Sequence, residues 1–132
     1  RMRILIVDDM QTMRRIVRSC FKKLGFENIV EAENGKKAVD VLINAHENEE
    51  KENIDLIVSD WNMPEMMGID FLRFVRENDN FKAIPFIMVT AEGQKKNIIE
   101  AAQAGVSNYI IKPFTADVLE EKLEVVFQKM IG

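Results

Sequence analysis

The chain holds one cysteine, one histidine, one tryptophan and one tyrosine in 132 residues, with only three prolines and six glycines. A single cysteine excludes an internal disulfide framework, and Cys20, between Ile16 and Leu24 in a helical pattern, reads as a small core residue rather than a reactive thiol. The lone histidine, His46, has no partner motif and reads as a surface residue. No apolar stretch approaches the roughly 18 residues that span a bilayer, and no signal-peptide core opens the chain, so no membrane association and a cytoplasmic location are expected. Arg1 ahead of Met2 reads as a remnant before a natural start and is given no role. A net charge of -4 argues against general nucleic-acid binding. Arg14, Arg15, Arg18, Lys22 and Lys23 do make the first helical segment basic, and a solvated helix face accounts for them.

What the chain has is alternation. Apolar runs of strand length, Ile4 to Val7, Leu56 to Val58, Phe86 to Val89 and Tyr109 to Ile111, are separated by amphipathic segments of helical spacing. The runs are rich in Ile and Val and continuously apolar, as parallel strands covered on both faces are. Helices are predicted at about 11–24, 36–45, 69–77, 95–104 and 116–130, with Gly25 and Gly105 as C-caps. A further strand over Ile29 to Ala32 is short and mixed, and β/α topology demands it more than composition does. Residues 46–53 are polar and mostly acidic and read as a loop. With 47% hydrophobic and 30% charged residues and no internal repeat, 1–132 is expected to form one α/β domain.

Four groups directly follow strand-like runs: Asp8-Asp9, Asp60, Thr90 and Lys112. Right-handed crossovers put every parallel strand's carboxyl end at one sheet edge, where open α/β sheets bind ligands, so the groups can converge. Taken singly each has an ordinary reading: Asp9 and Thr90 as helix caps, Asp60 as a turn residue, Lys112 as solvated. Taken together, three crowded carboxylates would raise one or more pKa values unless a cation sat among them. Hard oxygen donors without His or Cys favour Mg²⁺. A phosphoryl group fits the remaining chemistry, with Lys112 as compact charge, Thr90 as hydroxyl donor and Asp60, on the most central strand, as covalent acceptor. Charge crowding alone predicts that Asp8→Ala stabilises the metal-free protein.

In this order, Asp8-Asp9, Asp60-Trp61-Asn62-Met63-Pro64, Thr90-Ala91-Glu92 and Lys112-Pro113-Phe114 resemble the motifs of response-regulator receiver domains, over nearly the whole chain. Thr12 to Arg18, Trp61-Asn62, Ala101 to Gly105 and Leu119 to Leu123 are most similar to the chemotaxis branch of that family. The resemblance implies a flavodoxin-like fold, a parallel sheet of order 2-1-3-4-5. It implies phosphorylation of Asp60 by the phosphohistidine of a chemotaxis histidine kinase, with Mg²⁺ held by Asp9, Asp60 and the Asn62 backbone carbonyl, and by Asp8 through water. Because His46 is the only histidine, the phosphodonor is another molecule. Thr90 and Tyr109 would shift together on phosphorylation. Lys95, Ile98, Tyr109 and Lys122 would form the surface for a flagellar motor switch protein, and Asn62 and Glu92 would tune self-dephosphorylation. A monomer that serves as phosphoacceptor rather than enzyme, a phosphatase as further partner and a cis Lys112-Pro113 bond are also implied.

Ile98 and Ile99 stand about 100° apart on a helix, so either one faces a partner or both flank the core. Met67 stands where a polar residue is usual before the third helix, removing a cap worth about 1 kcal/mol. Met10 replaces a more usual Phe or Ser, and the acidic stretch from Glu47 to Glu52 is longer than expected for the family. An aspartyl phosphohydrolase would need a second carboxylate where Asn62 stands, and a flavodoxin-like electron carrier would need a Ser/Thr/Gly-rich loop where Asp8 to Thr12 stand. A phosphate sink, or a receiver with a non-flagellar partner, stays open. With the sequence ending just after the fifth helix, a free-standing domain is the expectation.

Overall fold

The computed structural model describes residues 2–48, 53–91 and 93–131. Strands and helices alternate: β1 (Ile4–Val7), α1 (Gln11–Lys23), β2 (Ile29–Ala32), α2 (Gly35–Glu47), β3 (Leu56–Asp60), α3 (Gly68–Glu77), β4 (Phe86–Thr90), α4 (Lys95–Gln103), β5 (Asn108–Ile111) and α5 (Ala116–Ile131). All pairings are parallel, in the order β2-β1-β3-β4-β5. This is the expected α/β sheet, and the weakly patterned β2 is present at its expected bounds.

Strand alternation divides the core between two faces. Leu5, Val7, Ile57 and Met88 point to the side covered by α2, α3 and α4, where Leu42, Leu72 and Phe71 meet them. Ile4, Ile6, Val58 and Val89 point to the other, covered by Phe21 of α1 and Leu123 of α5. The three inner strands are buried throughout, which is why they read as unbroken apolar runs. The edge strands β2 and β5 are only partly buried, and β2 can therefore carry Glu31.

Gly25 and Gly105 follow α1 and α4 with φ of +94° and +95°, a conformation strained for any residue with a Cβ. Cys20 is buried, and burial pushes its thiol pKa up, as befits a core residue. Two expectations need correction. The loop predicted over 46–53 starts later, because α2 runs to Glu47; His46 sits in its last turn, exposed, with its ring edge-on to Phe81 at 5.9 Å. Asp60 and Thr90 do not follow their strands but are the last residues of β3 and β4. Of the acidic stretch, residues 49–52 lie outside the described residues.

Candidate functional site

Strand order reverses at β1, whose neighbours are β2 and β3, and the two chain directions leave a crevice at the carboxyl ends of β1 and β3. Val7 pairs with Ser59, so continuing the register by one residue sets Asp8 against Asp60. The carboxylates of Asp8, Asp9 and Asp60 each place an oxygen within 4.8 Å of the others. Asp8 is 3% exposed and fully engaged: Oδ1 accepts from the Met10 N–H at 2.9 Å and Oδ2 from Lys112 Nζ at 3.1 Å. Its backbone N–H donates to the Ala32 carbonyl at 3.2 Å and its own carbonyl accepts from Arg14 Nη1 at 2.7 Å. Asp9 is exposed and forms the outer member of the group.

Asp60 is buried at the end of the central strand. Its Oδ1 accepts from the Trp61 N–H at 2.8 Å and lies 3.3 Å from Lys112 Nζ. Burial first, and the Asp8 charge second, push the Asp60 carboxyl above the ordinary aspartate range, against the opposing pull of Lys112. The crowding expected from the sequence is therefore real, and one ammonium does not relieve it. Behind Asp60 the chain doubles back so closely that the Gly68 N–H reaches the Trp61 carbonyl at 2.7 Å, and a Cβ on Gly68 would stand 2.0 Å from the Asp60 carbonyl oxygen. Only glycine fits there.

Thr90, fully buried, ends β4 one residue past the Asp60–Val89 pair, and its carbonyl accepts from the Lys112 N–H at 2.9 Å. The peptide from Lys112 to Pro113 is cis. Tyr109 is half-buried on β5, opposite Met88, and packs on the side of α2 to α4. Asn62 is exposed in the loop after Asp60. Lys95 begins α4 on the surface, and Lys122 lies half-buried on α5, where its carbonyl accepts from the Asn108 side chain of β5 at 3.1 Å. Glu92 lies outside the described residues.

The ordinary readings of the single residues mostly fail. Met10, not Asp9, is the N-cap of α1, and it makes no side-chain cap bond; Gln94, not Thr90, precedes α4. Lys112 is paired with two carboxylates and its side chain is 16% exposed. Asp60 accepts from the N–H of the adjacent Trp61, a bond between neighbours that closes no turn before Met63-Pro64, and its carboxylate faces the cluster. Ile98 and Ile99 are both exposed, at 40% and 46%, so neither is a flanking core contact. Arg14 and Gly68 were not recognised as site residues from the sequence. Gly68 could have been, from its position after a double methionine at a helix start; Arg14 was absorbed into a basic helix face.

The donor set suits a hard cation. Three carboxylates, with an exposed loop at Asn62 following the last of them, offer only oxygen, and burial first and the Asp8 charge second disfavour a bare charge on Asp60, which a cation would relieve. Mg²⁺ fits these residues.

Residues 4–124 match the family described as the response regulator receiver domain. The chain is 50% identical over 131 residues to chemotaxis protein CheY of Pseudomonas aeruginosa, covering 99% of this chain and 100% of that protein. It is 49% identical over 129 residues to chemotaxis protein CheY-3 of Vibrio cholerae, covering 98% and 94%. Among solved structures, chemotaxis response regulator CheY4 of Vibrio cholerae superposes with a TM-score of 0.80 at 30% identity, over 95% of this chain and 98% of that one. A match that runs from β1 into α5, and that holds half of all residues identical across a relative's full length, places this chain in the response regulator receiver domain family.

Proposed function

We propose that the chain is a phosphoacceptor of chemotaxis signalling: Asp60 takes a phosphoryl group from the phosphohistidine of a separate kinase, and the phosphorylated form binds a flagellar motor switch protein to control rotation. The observation that carries this reading is the state of Asp60, a buried carboxylate at the topological switch point with a raised pKa and a lysine on one oxygen. Among the described residues both of its contacts fall on Oδ1, which leaves Oδ2 as the attacking atom. In the transfer, Oδ2 forms a bond to phosphorus as the P–N bond of the phosphohistidine breaks, and the imidazole leaves with the electron pair.

Mg²⁺, held by Asp9, Asp60 and the Asn62 carbonyl, with Asp8 acting through water, would neutralise charge on the phosphoryl oxygens. The Lys112 ammonium, which divides itself between Asp8 and Asp60, is positioned to bind a phosphoryl oxygen once one arrives. The Thr90 hydroxyl, at the end of the neighbouring strand, donates to another. A pull on Thr90 is passed along β4 and β5 toward Tyr109, whose ring can settle inward or outward, a two-position element that an added charge can bias. The output surface is α4, β5 and α5. Lys95, Ile98 and Tyr109 lie on its first two elements and Lys122 on the third, and the exposed pair Ile98 and Ile99 supplies apolar area for an amphipathic partner segment. Asn62 and Glu92 tune loss of the phosphoryl group by hydrolysis, with a phosphatase as further partner, and the chain acts on no substrate but its own aspartate.

Trp61 is buried and its N–H is bonded to Asp60, so its fluorescence is the natural readout. A saturable change with acetyl phosphate or beryllofluoride in Mg²⁺, absent in Asp60→Asn, is expected, followed by phosphorylation-dependent binding of a motor switch peptide. No response to the phosphodonor would overturn the reading. A response without peptide binding would leave a phosphate sink or another partner.

A further inference from the structure

We propose that Arg14 is a positioning residue for the cation site: together with Glu31 it fixes the backbone of Asp8, and so the direction from which the acidic pair faces Asp60. The proposal rests on the reading of Asp8, Asp9 and Asp60 as a cation site. Arg14 lies in the first turns of α1 with its side chain 15% exposed, and it spends its guanidinium on two different elements. Nη1 donates to the Asp8 carbonyl at 2.7 Å, and Nε donates to Glu31 Oε1 on β2 at 3.0 Å. Glu31 is held in turn, because its other oxygen accepts from Arg18 Nη1 at 2.8 Å. Arg14 and Arg18 are one helical turn apart, so α1 grips the edge strand with two arginines on one carboxylate.

A surface ion pair would need only the contact to Glu31. The second contact of Arg14 reaches into the acidic turn, and it completes a set that leaves Asp8 no freedom: Ala32 holds its N–H, Arg14 its carbonyl, and Met10 and Lys112 its carboxylate oxygens. The planar fork of arginine can serve a carbonyl and a carboxylate at once, as the point charge of lysine cannot.

Charge and position predict opposite signs. A guanidinium beside three carboxylates repels an incoming divalent cation, so by charge alone Arg14→Gln would tighten Mg²⁺ binding. If Arg14 positions the pair, the same substitution weakens it, by about tenfold, as losing a partner that orients a ligand does at metal sites. The test is Mg²⁺ affinity from Trp61 fluorescence, with amide hydrogen exchange of Met10 measured without metal, in wild type, Arg14→Gln, Arg14→Lys and Glu31→Gln. Expected are weaker Mg²⁺ binding and faster Met10 exchange in Arg14→Gln, partial recovery in Arg14→Lys, and a smaller loss in Glu31→Gln, which leaves α1 and its packing intact. Unchanged or tighter Mg²⁺ binding in Arg14→Gln, with Met10 exchange as in wild type, would overturn the proposal. If wild type itself binds no Mg²⁺, the cation site falls, and Met10 exchange in the metal-free variants still decides whether Arg14 holds the turn.

Discussion

Asp60 carries a local conflict, a carboxylate held in a buried place beside the charge of Asp8. Its folded pKa is raised, so the folded state binds its proton more tightly than the unfolded chain does. The contribution to stability is then fully present below the ordinary aspartate value and is lost as pH rises through the folded one. Asp60→Asn keeps an oxygen acceptor for Trp61 and Lys112 and removes the charge. Metal-free Asp60→Asn should therefore be more stable than wild type at neutral pH, with the difference shrinking on acidification; urea denaturation of both proteins across a pH series measures it. Equal stability at every pH would contradict the raised value. Asp8 is a different case, although sequence reasoning treated it as a mere excess charge. Alanine there would strip the Met10 N–H and Lys112 of a buried partner, so relief of repulsion is opposed by two lost hydrogen bonds and Asp8→Ala is no longer expected to stabilise. Gly68 offers a steric counterpart. Gly68→Ala drives a methyl group into the Asp60 carbonyl and should cost about 1–3 kcal/mol, and under the proposed function it should also displace Asp60 and slow its reaction with a phosphodonor. A fully stable, fully reactive variant would mean that the backbone there can open.

Elements differ in how firmly they are held, and the differences explain what the sequence revealed. The buried runs of β1, β3 and β4 could be seen because both faces of an inner strand demand apolar residues. β2 hardly could, since an edge strand with a half-buried face tolerates Glu31, and Glu31 is there for Arg14. The end of α2 was misplaced because Asn34 marks its start, accepting from the Lys37 N–H at 2.8 Å, while nothing comparable marks its finish. Met67 does precede α3 without a cap bond, as its side chain requires, yet it also packs against the core cluster, a compensation that no sequence pattern announces. The least anchored helix is α4, which buries only Ala101, has no side-chain cap at Gln94 and exposes two isoleucines. Gln94→Asp places an acceptor and a negative charge at that N-terminus and should add about 1 kcal/mol, read as a higher urea midpoint with an unchanged slope. Asn34→Ala, removing the cap that α2 has, should cost about as much. If neither substitution moves the midpoint, helix ends do not limit stability in this domain.

At the scale of the whole molecule, a site is assembled from residues more than a hundred positions apart, and this was the step least available to pattern reading. Periodicity placed Asp8, Asp60, Thr90 and Lys112 at strand ends, but only the order β2-β1-β3-β4-β5 puts β1 beside β3 and so Asp8 across from Asp60. That order came from family resemblance, not from composition. Because the carboxylates converge only in the folded chain, an ion that binds them stabilises the whole domain by mass action, by about 1.4 kcal/mol at ten times its Kd, or roughly 5 °C in Tm for a chain of this length. Tm should thus climb with the logarithm of Mg²⁺ concentration once Kd is passed. Asp9→Asn, which removes the exposed member of the cluster and no structural bond among the described residues, should flatten that climb while leaving the metal-free Tm at or above wild type. A metal-free Tm well below wild type would give Asp9 a structural role instead, and a Mg²⁺ response as steep as wild type would remove Asp9 from the cation site.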